Sequence, residues 1–208
     1  MKKLFFTMLA MLPLTLWAQD NTWEINEDEE VKQEVEAKPK TKVDPKYLKG
    51  AVPEVDGQVV FSTKIEAPGK SAAQVYDIML KYMERLTKTT NQIDSRVVTA
   101  DEAKHEIIGS YQEWLVFKKT ALSLDRTRFF YVLQTQCSDG HADVKMIRLR
   151  YLYEEERAPQ RMSAEEWITD KEAVNKKNTK LLPISGKFRR KTIDRKDFLF
   201  NKFASLLQ

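Results

Sequence analysis

The stretch RTRFFYVLQTQCSDGHADVKMIRLRYLY (Arg126–Tyr153) carries the strongest structural signal in the chain. Aromatic and aliphatic residues alternate with polar ones on both sides of Asp139-Gly140. Alternation with a period of two is typical of a strand with one buried face, and an Asp-Gly pair between two such runs is typical of a two-residue hairpin turn. The sequence therefore predicts two antiparallel strands, Arg126–Cys137 and Ala142–Tyr153.

The turn also predicts which residues of this hairpin face each other. If Asp139-Gly140 forms the turn, paired residue numbers add up to 279. Arg148 then faces Tyr131, and Arg150 faces Phe129. We expect this side to be exposed and the opposite side to be the helix-covered core. The predicted core side consists of Phe130, Val132, Ile147 and Leu149.

The mixture of arginines and aromatic rings predicts a candidate binding face made of Phe129, Tyr131, Arg148 and Arg150. Guanidinium groups bind carboxylates in a bidentate manner, so such a face suits a planar acidic ligand or the carboxylates of a partner. The alternative is a self-satisfied ladder of cation–π contacts, worth roughly 0.5–1 kcal/mol each when exposed, that merely solubilises the sheet.

Upstream of the hairpin, the sequence predicts one strand, one helix and two further strands. Val59–Glu66 alternates, Pro68-Gly69 turns the chain, and Ser71 with Gln74 matches a capping box that opens a helix. One face of that helix is apolar, with Val75, Met79, Tyr82, Met83 and Leu86. The further strands are Ser95–Ala100 and Glu106–Phe117.

Downstream of the hairpin, the sequence predicts two helices. Ser163 and Glu166 form a second capping box, and an apolar residue recurs every seven positions, at Trp167, Val174 and Leu181. Pro183 and Gly186 are expected to end this helix. A last helix is predicted over Asp194–Leu207. The order β-α-β-β-β-β-α-α predicts an α+β fold with helices on one face of an antiparallel sheet.

The N-terminus has the pattern of a signal peptide. Two lysines precede the apolar run LFFTMLAMLPLTLW, and Ala18 is a small residue suited to cleavage. The run has 14 residues, fewer than the roughly 20 that span a bilayer as a helix. We expect cleavage after Ala18, no transmembrane segment thereafter, and export to the periplasm or the extracellular space.

The segment after the signal differs in charge from the rest of the chain. Asp20–Asp56 holds 11 acidic and 6 basic residues, a net charge of −5, whereas Gly57–Gln208 carries +7. Few apolar residues and several prolines predict a flexible acidic linker over residues 19–56. Trp23 and Ile25 are apolar exceptions that suit a short docking element. The folded domain is predicted to span residues 57–208.

Three stretches resemble a family of secreted Bacteroidetes proteins, the domain of unknown function 4468, described as having a TBP-like fold. They are PGKSAAQVYDIMLKYM (68–83), RLRYLYEEER (148–157) and AEEWITDKEAVNKKNTKLLPISGKFRRKTIDRKDFLF (164–200). The resemblance extends over about Gly57–Leu207. It implies a curved antiparallel sheet with helices on its convex side. It implies no catalytic residues, and a shared fold does not imply DNA binding.

The stretch GKFRRKTIDRK (Gly186–Lys196) holds six basic residues and one Asp. It is a candidate surface for an anionic partner, with Lys187, Arg189, Arg190, Lys191 and Arg195. The alternatives are a solvated helix junction or a structural clamp that pairs with Glu154–Glu156 or Glu165–Glu166. Nucleic acid is a disfavoured partner, because export separates the protein from the nucleic acid of the cytoplasm. In addition, Phe188 is the one aromatic residue interleaved in this stretch, whereas single-strand binding uses several.

The sequence predicts no catalytic residue, no metal site and no cofactor. Asp139, His141 and Asp143 could suggest metal ligands, but Asp is expected in a hairpin turn for backbone reasons. Cys137 is the only cysteine. It suits a buried thiol in a strand, and the alternatives are an intermolecular disulfide or a nucleophile, although no orienting partner for a Cys137–His141 pair is evident.

These features together predict an exported, non-enzymatic binding or scaffolding module of the cell envelope. Its partner would be an envelope protein or an anionic glycan or lipid. The alternative is a domain that binds an acidic small molecule or glycan through the candidate binding face. An enzyme is a third class, which a deep pocket with convergent ionisable groups would favour.

Overall fold

The computed structural model describes residues 43–208. The strands are β1 (Glu54–Val55), β2 (Gln58–Val59), β3 (Phe61–Glu66), β4 (Arg96–Asp101), β5 (Glu106–Thr120), β6 (Ser123–Ser138), β7 (His141–Tyr153) and β8 (Gln160–Ser163). The helices are α1 (Ala72–Leu86), α2 (Ala164–Trp167), α3 (Asp170–Ala173) and α4 (Ser185–Leu207). Pro45–Tyr47 form a 3-10 turn before them.

Six of the strands form one antiparallel sheet. Its order is β3-β7-β6-β5-β4, and β8 pairs with the far end of β7, while β1 and β2 form a small separate hairpin. Helices α1 and α4 are the two long helices, and both pack on the same face of the sheet. The predicted α+β class and its antiparallel sheet are confirmed.

We call the helix-packed side of the sheet the covered face. Tyr111 of β5 donates a hydrogen bond to the carbonyl of Met83 in α1, at 3.1 Å, and the hydroxyls of Tyr151 and Thr192 are 2.7 Å apart across β7 and α4. The fully buried apolar side chains of the three long strands all lie on this face: Ile107, Tyr111, Leu115, Phe129, Tyr131, Leu133, Ala142, Val144, Met146, Leu149 and Tyr151.

Helix α1 begins and packs as its sequence predicts. The capping box is present, since Ser71 accepts from the amide of Gln74 and the Gln74 side chain accepts from the amide of Ser71. All five predicted apolar face residues are buried. Asp139 of the hairpin turn accepts a further hydrogen bond from the amide of Ala72 at 2.7 Å, so the turn also caps this helix.

The register of the β6–β7 hairpin follows the prediction only near its turn. Pairs from Cys137–Ala142 to Val132–Ile147 match the predicted sum, but a β-bulge then shifts β7, so that Arg150 lies opposite Phe130 and Tyr151 lies opposite Phe129. Arg148 sits at the bulge with a φ of 56°. The extra residue moves the buried positions of β7 from even numbers, ending at Met146, to odd numbers, beginning at Leu149.

The C-terminal region differs from the prediction of two ordinary helices. Helix α4 begins at Ser185, before the predicted Asp194, and runs for 23 residues. Gly186 lies inside it rather than ending the preceding helix, and a Cβ there would come within 2.6 Å of the Leu181 Cβ. The predicted helix from Ser163 to Leu181 is two single turns, α2 and α3, followed by an isolated bridge between Val174 and Leu181.

The domain begins earlier than predicted. Residues 43–56, expected to belong to the linker, pack on the domain, with Val52 4% exposed. Lys46 and Tyr47 both donate to Asp194 of α4, at 2.9 and 2.7 Å. The predicted signal peptide and residues 19–42 lie outside the described residues. Within residues 43–208, no helix is long and apolar enough to cross a membrane.

Candidate binding surface

The side of the sheet opposite the covered face carries a mixture of half-buried apolar residues and cations, and we call it the open face. It is formed by the alternate residues of β5, β6 and β7. Its apolar members are Ile108, Trp114, Phe130, Val132 and Ile147, and its basic members are Arg126, Arg128, Lys145 and Arg150. Its acidic members Glu106 and Asp143 lie at the end near Lys145. None of these apolar residues is fully buried, because no helix of the described region packs over them.

Trp114 is the centre of the arginine-rich end of the open face. The Arg126 guanidinium lies 3.7 Å from the centroid of the indole ring, and the Arg128 guanidinium lies 5.5 Å from it. Arg128 also donates to Glu155 at 2.6 Å, while its Nε is buried without a hydrogen-bond partner among the described residues. A flat aromatic ring and two planar cations therefore lie together on the surface.

Phe130 extends this arrangement toward β7. Arg150 lies over its ring, with 5.9 Å between the guanidinium and the ring centroid. Among residues 43–208, no carboxylate lies within salt-bridge distance of Arg126, Arg150 or Lys145. Ring contact leaves guanidinium hydrogens available, so these cations can still bind an acidic group.

Two of the four residues of the predicted candidate binding face are core residues instead. Phe129 is 0% and Tyr131 is 1% exposed. Tyr131 stacks on Tyr111 at a centroid distance of 5.2 Å, and Phe129 stacks on Tyr151 at 5.3 Å. Burial holds the pKa of the Tyr131 hydroxyl well above its ordinary value. The predicted core side was also wrong for Phe130, Val132 and Ile147, which lie on the open face.

The bulge explains which way the two predicted arginines, Arg148 and Arg150, face. If the register had continued unchanged, Arg148 and Arg150 would have faced the buried rings of Tyr131 and Phe129, and two cations would have entered the core. The bulge turns both arginines outward and places Leu149 and Tyr151 inside. Arg150 thus remains an exposed cation, but it contacts Phe130.

The candidate basic patch of the C-terminal stretch is dispersed around α4. Arg189 is 0% exposed, and it donates to the carbonyls of Tyr47 and Ile168, each at 2.7 Å, and to Asp170 at 2.6 Å. It joins the N-terminal segment, the α2–α3 connection and α4. The prediction of an anionic-partner surface is therefore wrong for Arg189, which is a structural clamp.

Arg195 is the second buried arginine of α4. Its Nε and one terminal nitrogen donate to the two oxygens of Glu113, at 2.7 and 2.6 Å, and Glu113 is itself 0% exposed. Gln92 donates to the same carboxylate at 2.6 Å. This satisfied pair lies within the core, so Arg195 is unavailable to a partner.

The other three members of the patch lie nearer the surface but do not form one site. Lys187 donates to Asp125 at 2.7 Å and to the Tyr153 hydroxyl at 2.9 Å. Arg190 is exposed, 5.4 Å from the Tyr47 ring, and Lys191 is half-buried. Lys187, Arg189 and Arg195 pair with Asp125, Asp170 and Glu113 rather than with the predicted partners at 154–156 and 165–166.

A cavity of about 480 Å³ opens beside Trp114 at the end of the β5–β6 hairpin. Arg126 and Arg157 are its basic lining residues, but four carboxylates also line it, those of Asp125 and Glu154–Glu156. A second cavity, of about 610 Å³, lies at the other end of the open face between Lys64, Lys145, Glu106 and Asp143. Both sites are mixed in charge.

Cys137 and His141, the two residues considered for nucleophilic chemistry, do not lie together. Cys137 is 2% exposed and pairs with Ala142, and burial raises the pKa of its thiol to about 12. His141 pairs one position further on, with Ser138, and therefore points to the opposite side of the sheet. Within the described residues, no group of three potential metal ligands occurs.

The geometry defines an α+β domain with a TBP-like fold, and the chain belongs to the DUF4468 family. The profile described as "Domain of unknown function (DUF4468) with TBP-like fold" matches residues 61–152. The chain is similar to a crystal structure of a DUF4468 family protein from Bacteroides ovatus, with 48% identity and a TM-score of 0.74 over 80% of this chain and 96% of that one. A comparison with curated proteins gave no significant match.

A second solved structure supports the fold alone. It is a TBP-like protein from Parabacteroides distasonis, with 19% identity and a TM-score of 0.62 over 76% of this chain and 97% of that one. The predicted family and its TBP-like fold are therefore confirmed. The open-face residues Trp114, Arg126, Arg128 and Phe130 were missed as a group, although their even numbers already place them on one side of two paired strands.

Proposed function

We propose that this protein is an exported, non-enzymatic binding module and that the open face of its sheet binds an acidic partner in the cell envelope. The observation that carries the proposal is the set of arginines without carboxylate partners beside half-buried aromatic rings. Arg126 lies over Trp114 and Arg150 lies over Phe130. Aromatic residues and arginine are the types that contribute most to protein–protein binding.

The surrounding apolar residues support a macromolecular partner. Val132 and Ile147 pair in the middle of the open face, with Ile108 one strand away. An apolar centre with charged groups around it is the usual anatomy of a protein interface. A partner with acidic groups around an apolar contact would match both features.

An acidic small molecule fits the cavities less well. The cavity beside Trp114 has a volume within the usual range for ligand sites, roughly 300–1,000 Å³. Two of its four carboxylates pair with Arg128 and Lys187, however, and the remaining Glu154 and Glu156 offset the two arginines, so the cavity offers an anion no net attraction. The broader open face, where Arg150 lines neither of the two mixed-charge cavities, is the better surface for acidic groups.

The non-enzymatic part of the proposal is supported by the state of the one thiol. A buried Cys137 with a raised pKa is protonated at neutral pH, whereas a nucleophile must be a thiolate. The export part rests on the N-terminal sequence pattern. N-terminal sequencing of the protein isolated from its native cells should begin at Gln19 and would contradict export if it began at Met1.

Capture of partners from native envelope extract tests the binding surface. We expect the mature chain to retain material that an Arg126→Ala/Arg150→Ala variant loses, and we expect this retention to fall at high salt, because exposed charge pairs are screened. A Lys81→Ala/Lys88→Ala variant is the matched control, since it removes the same charge from the exposed side of α1 and from the turn that follows it. Equal retention by both variants would contradict the proposal.

A further inference from the structure

We propose that the acidic segment Asp20–Glu36 of the same chain docks on the open face and competes there with the external partner. This inference rests on the proposed function, because it assigns a competitor to the same surface. Two observations carry it, namely the complementary charge of the segment and the face, and the length of chain that precedes the described domain.

The acidic segment is complementary to the cations at the centre and at the Trp114 end of the open face. Asp20–Glu36 contains eight acidic residues and one lysine. On the open face, Arg126, Arg150 and Lys145 have no carboxylate partner among the described residues. Each contact of this kind is weak when exposed, but the segment offers several carboxylates to several cations at once.

The apolar residues of the segment also match the face. Trp23 and Ile25 stand among the acidic residues, and Val31 and Val35 follow. The open face offers half-buried apolar positions at its centre, including Val132 and Ile147. Apolar side chains flanked by carboxylates therefore meet apolar side chains flanked by cations.

The segment is long enough to reach the open face. The described chain starts at Val43 on the helix side of the sheet, where Lys46 and Tyr47 bind Asp194 of α4. The route around the sheet edge crosses a few strands, each about 4.8 Å apart, and one helix layer of about 10 Å. An extended chain spans about 3.3 Å per residue, so the stretch 26–42 reaches about 56 Å and brings the N-terminal part of the segment, with Trp23 and Ile25, to the open face.

Attachment in one chain makes even weak docking effective. A segment joined to its binding site within one chain can have an effective concentration in the millimolar range there. A segment with only millimolar affinity would thus occupy the open face for a substantial fraction of the time. An acidic partner would have to displace it, so neutralising the segment should strengthen partner binding.

Paramagnetic NMR of the mature chain tests the docking directly. An Asn26→Cys variant places a spin label in the segment without changing its charge, and the buried Cys137 with its raised pKa reacts slowly with the reagent. At low salt we expect the indole N–H signal of Trp114 to be broadened by the label. The signal of Trp167, which contacts Phe188 on the helix side, should keep its intensity.

Charge variants decide whether the open face causes the broadening. We expect Arg126→Glu/Arg150→Glu, or high salt, to restore the Trp114 signal by roughly twofold or more, because both remove the attraction. The matched control, Lys81→Glu/Lys88→Glu on α1 and the turn after it, should leave the broadening unchanged. Equal broadening of Trp114 and Trp167, or no broadening at low salt, would overturn the proposal.

A mixed sample separates docking within one chain from docking between copies. It contains spin-labelled chains without isotope label and isotope-labelled chains without spin label. Broadening of Trp114 in the mixed sample would overturn the intramolecular assignment. The capture experiment on the open face is independent of this outcome. If partner retention depends on Arg126 and Arg150 but the label never approaches Trp114, the docking inference fails while the proposed function stands.

Discussion

The two faces of the sheet use arginine and aromatic residues in opposite ways. On the covered face, Arg195 is held by both oxygens of the buried Glu113, and the rings of Tyr131 and Phe129 stack inside the core. On the open face, Arg126 contacts a ring and has no carboxylate partner among residues 43–208. The same residue types are therefore structural on one side and available for binding on the other, because burial and pairing decide their role.

The largest expected effect concerns the buried ion pair. Arg195→Ala leaves the Glu113 carboxylate buried without its cation, which should lower the free energy of unfolding by about 3–5 kcal/mol. Urea denaturation of the variant and the wild type measures the difference. The double variant Arg195→Met/Glu113→Gln should be less destabilised than Arg195→Ala, because no lone buried charge remains. A loss below about 1 kcal/mol for Arg195→Ala would contradict this prediction, because so small a loss is typical of an exposed salt bridge.

The second prediction concerns Arg189, which joins three segments. Arg189→Ala removes charge-assisted hydrogen bonds to three carbonyls and to Asp170, so we expect a loss of about 2–3 kcal/mol. Hydrogen exchange should also increase in residues 45–52, which this side chain holds on α4. Arg190→Ala, the exposed neighbour, is the control and should change stability by less than about 0.5 kcal/mol. Unchanged exchange in residues 45–52 would contradict the clamp.

The third prediction concerns pH and the thiol of the covered face. Burial raises the pKa of Cys137 from 9.0 to about 12 in the folded protein, so the unfolded chain loses this proton first. Its stabilising contribution is complete below pH 9 and is lost as pH rises toward 12. The free energy of unfolding should fall by about 1.4 kcal/mol per pH unit from this group in that window.

Cys137→Ala isolates this contribution from the tyrosines, whose pKa values are also raised by burial. The variant should be less stable at pH 7 because it leaves a small cavity. Its stability should nevertheless depend less steeply on pH between 9 and 12 than that of the wild type. Identical slopes would show that the thiol is not protected in the folded state.

The smallest expected effect on stability belongs to the open face. Arg126→Ala or Arg150→Ala removes an exposed cation–π contact, worth roughly 0.5–1 kcal/mol, and leaves no buried group unpaired. Thermal unfolding should therefore shift little, while partner binding should be lost. A destabilisation as large as that of Arg195→Ala would mean that these arginines are structural on both faces.

The comparison also shows which features local sequence signals could predict. The alternation on both sides of Asp139-Gly140 and the capping box at Ser71 and Gln74 depend on neighbours within a few residues, and both are confirmed. Family membership and the TBP-like fold followed from longer stretches of the same chain and are confirmed as well. Local chemistry was sufficient for elements whose turn and cap residues are adjacent in sequence.

The candidate site was harder to predict because it depends on one residue of register. A period of two gives every strand two possible faces, and a single β-bulge exchanges them. Both arginines of β7 were identified from the sequence, but their partners were not, since the bulge near Arg148 is required only when the rings of Phe129 and Tyr131 are buried by helices.

By itself, the sequence determined the strands of the hairpin, the start of α1, the α+β class and the opposite charges of the N-terminal segment and the domain. Only the tertiary structure decided which face is covered, where α4 begins, and which arginines are buried. The physical reason is that Arg189 and Arg195 find Asp170 and Glu113 at separations of 19 and 82 residues. Such distant pairing follows from packing, and no local pattern encodes it.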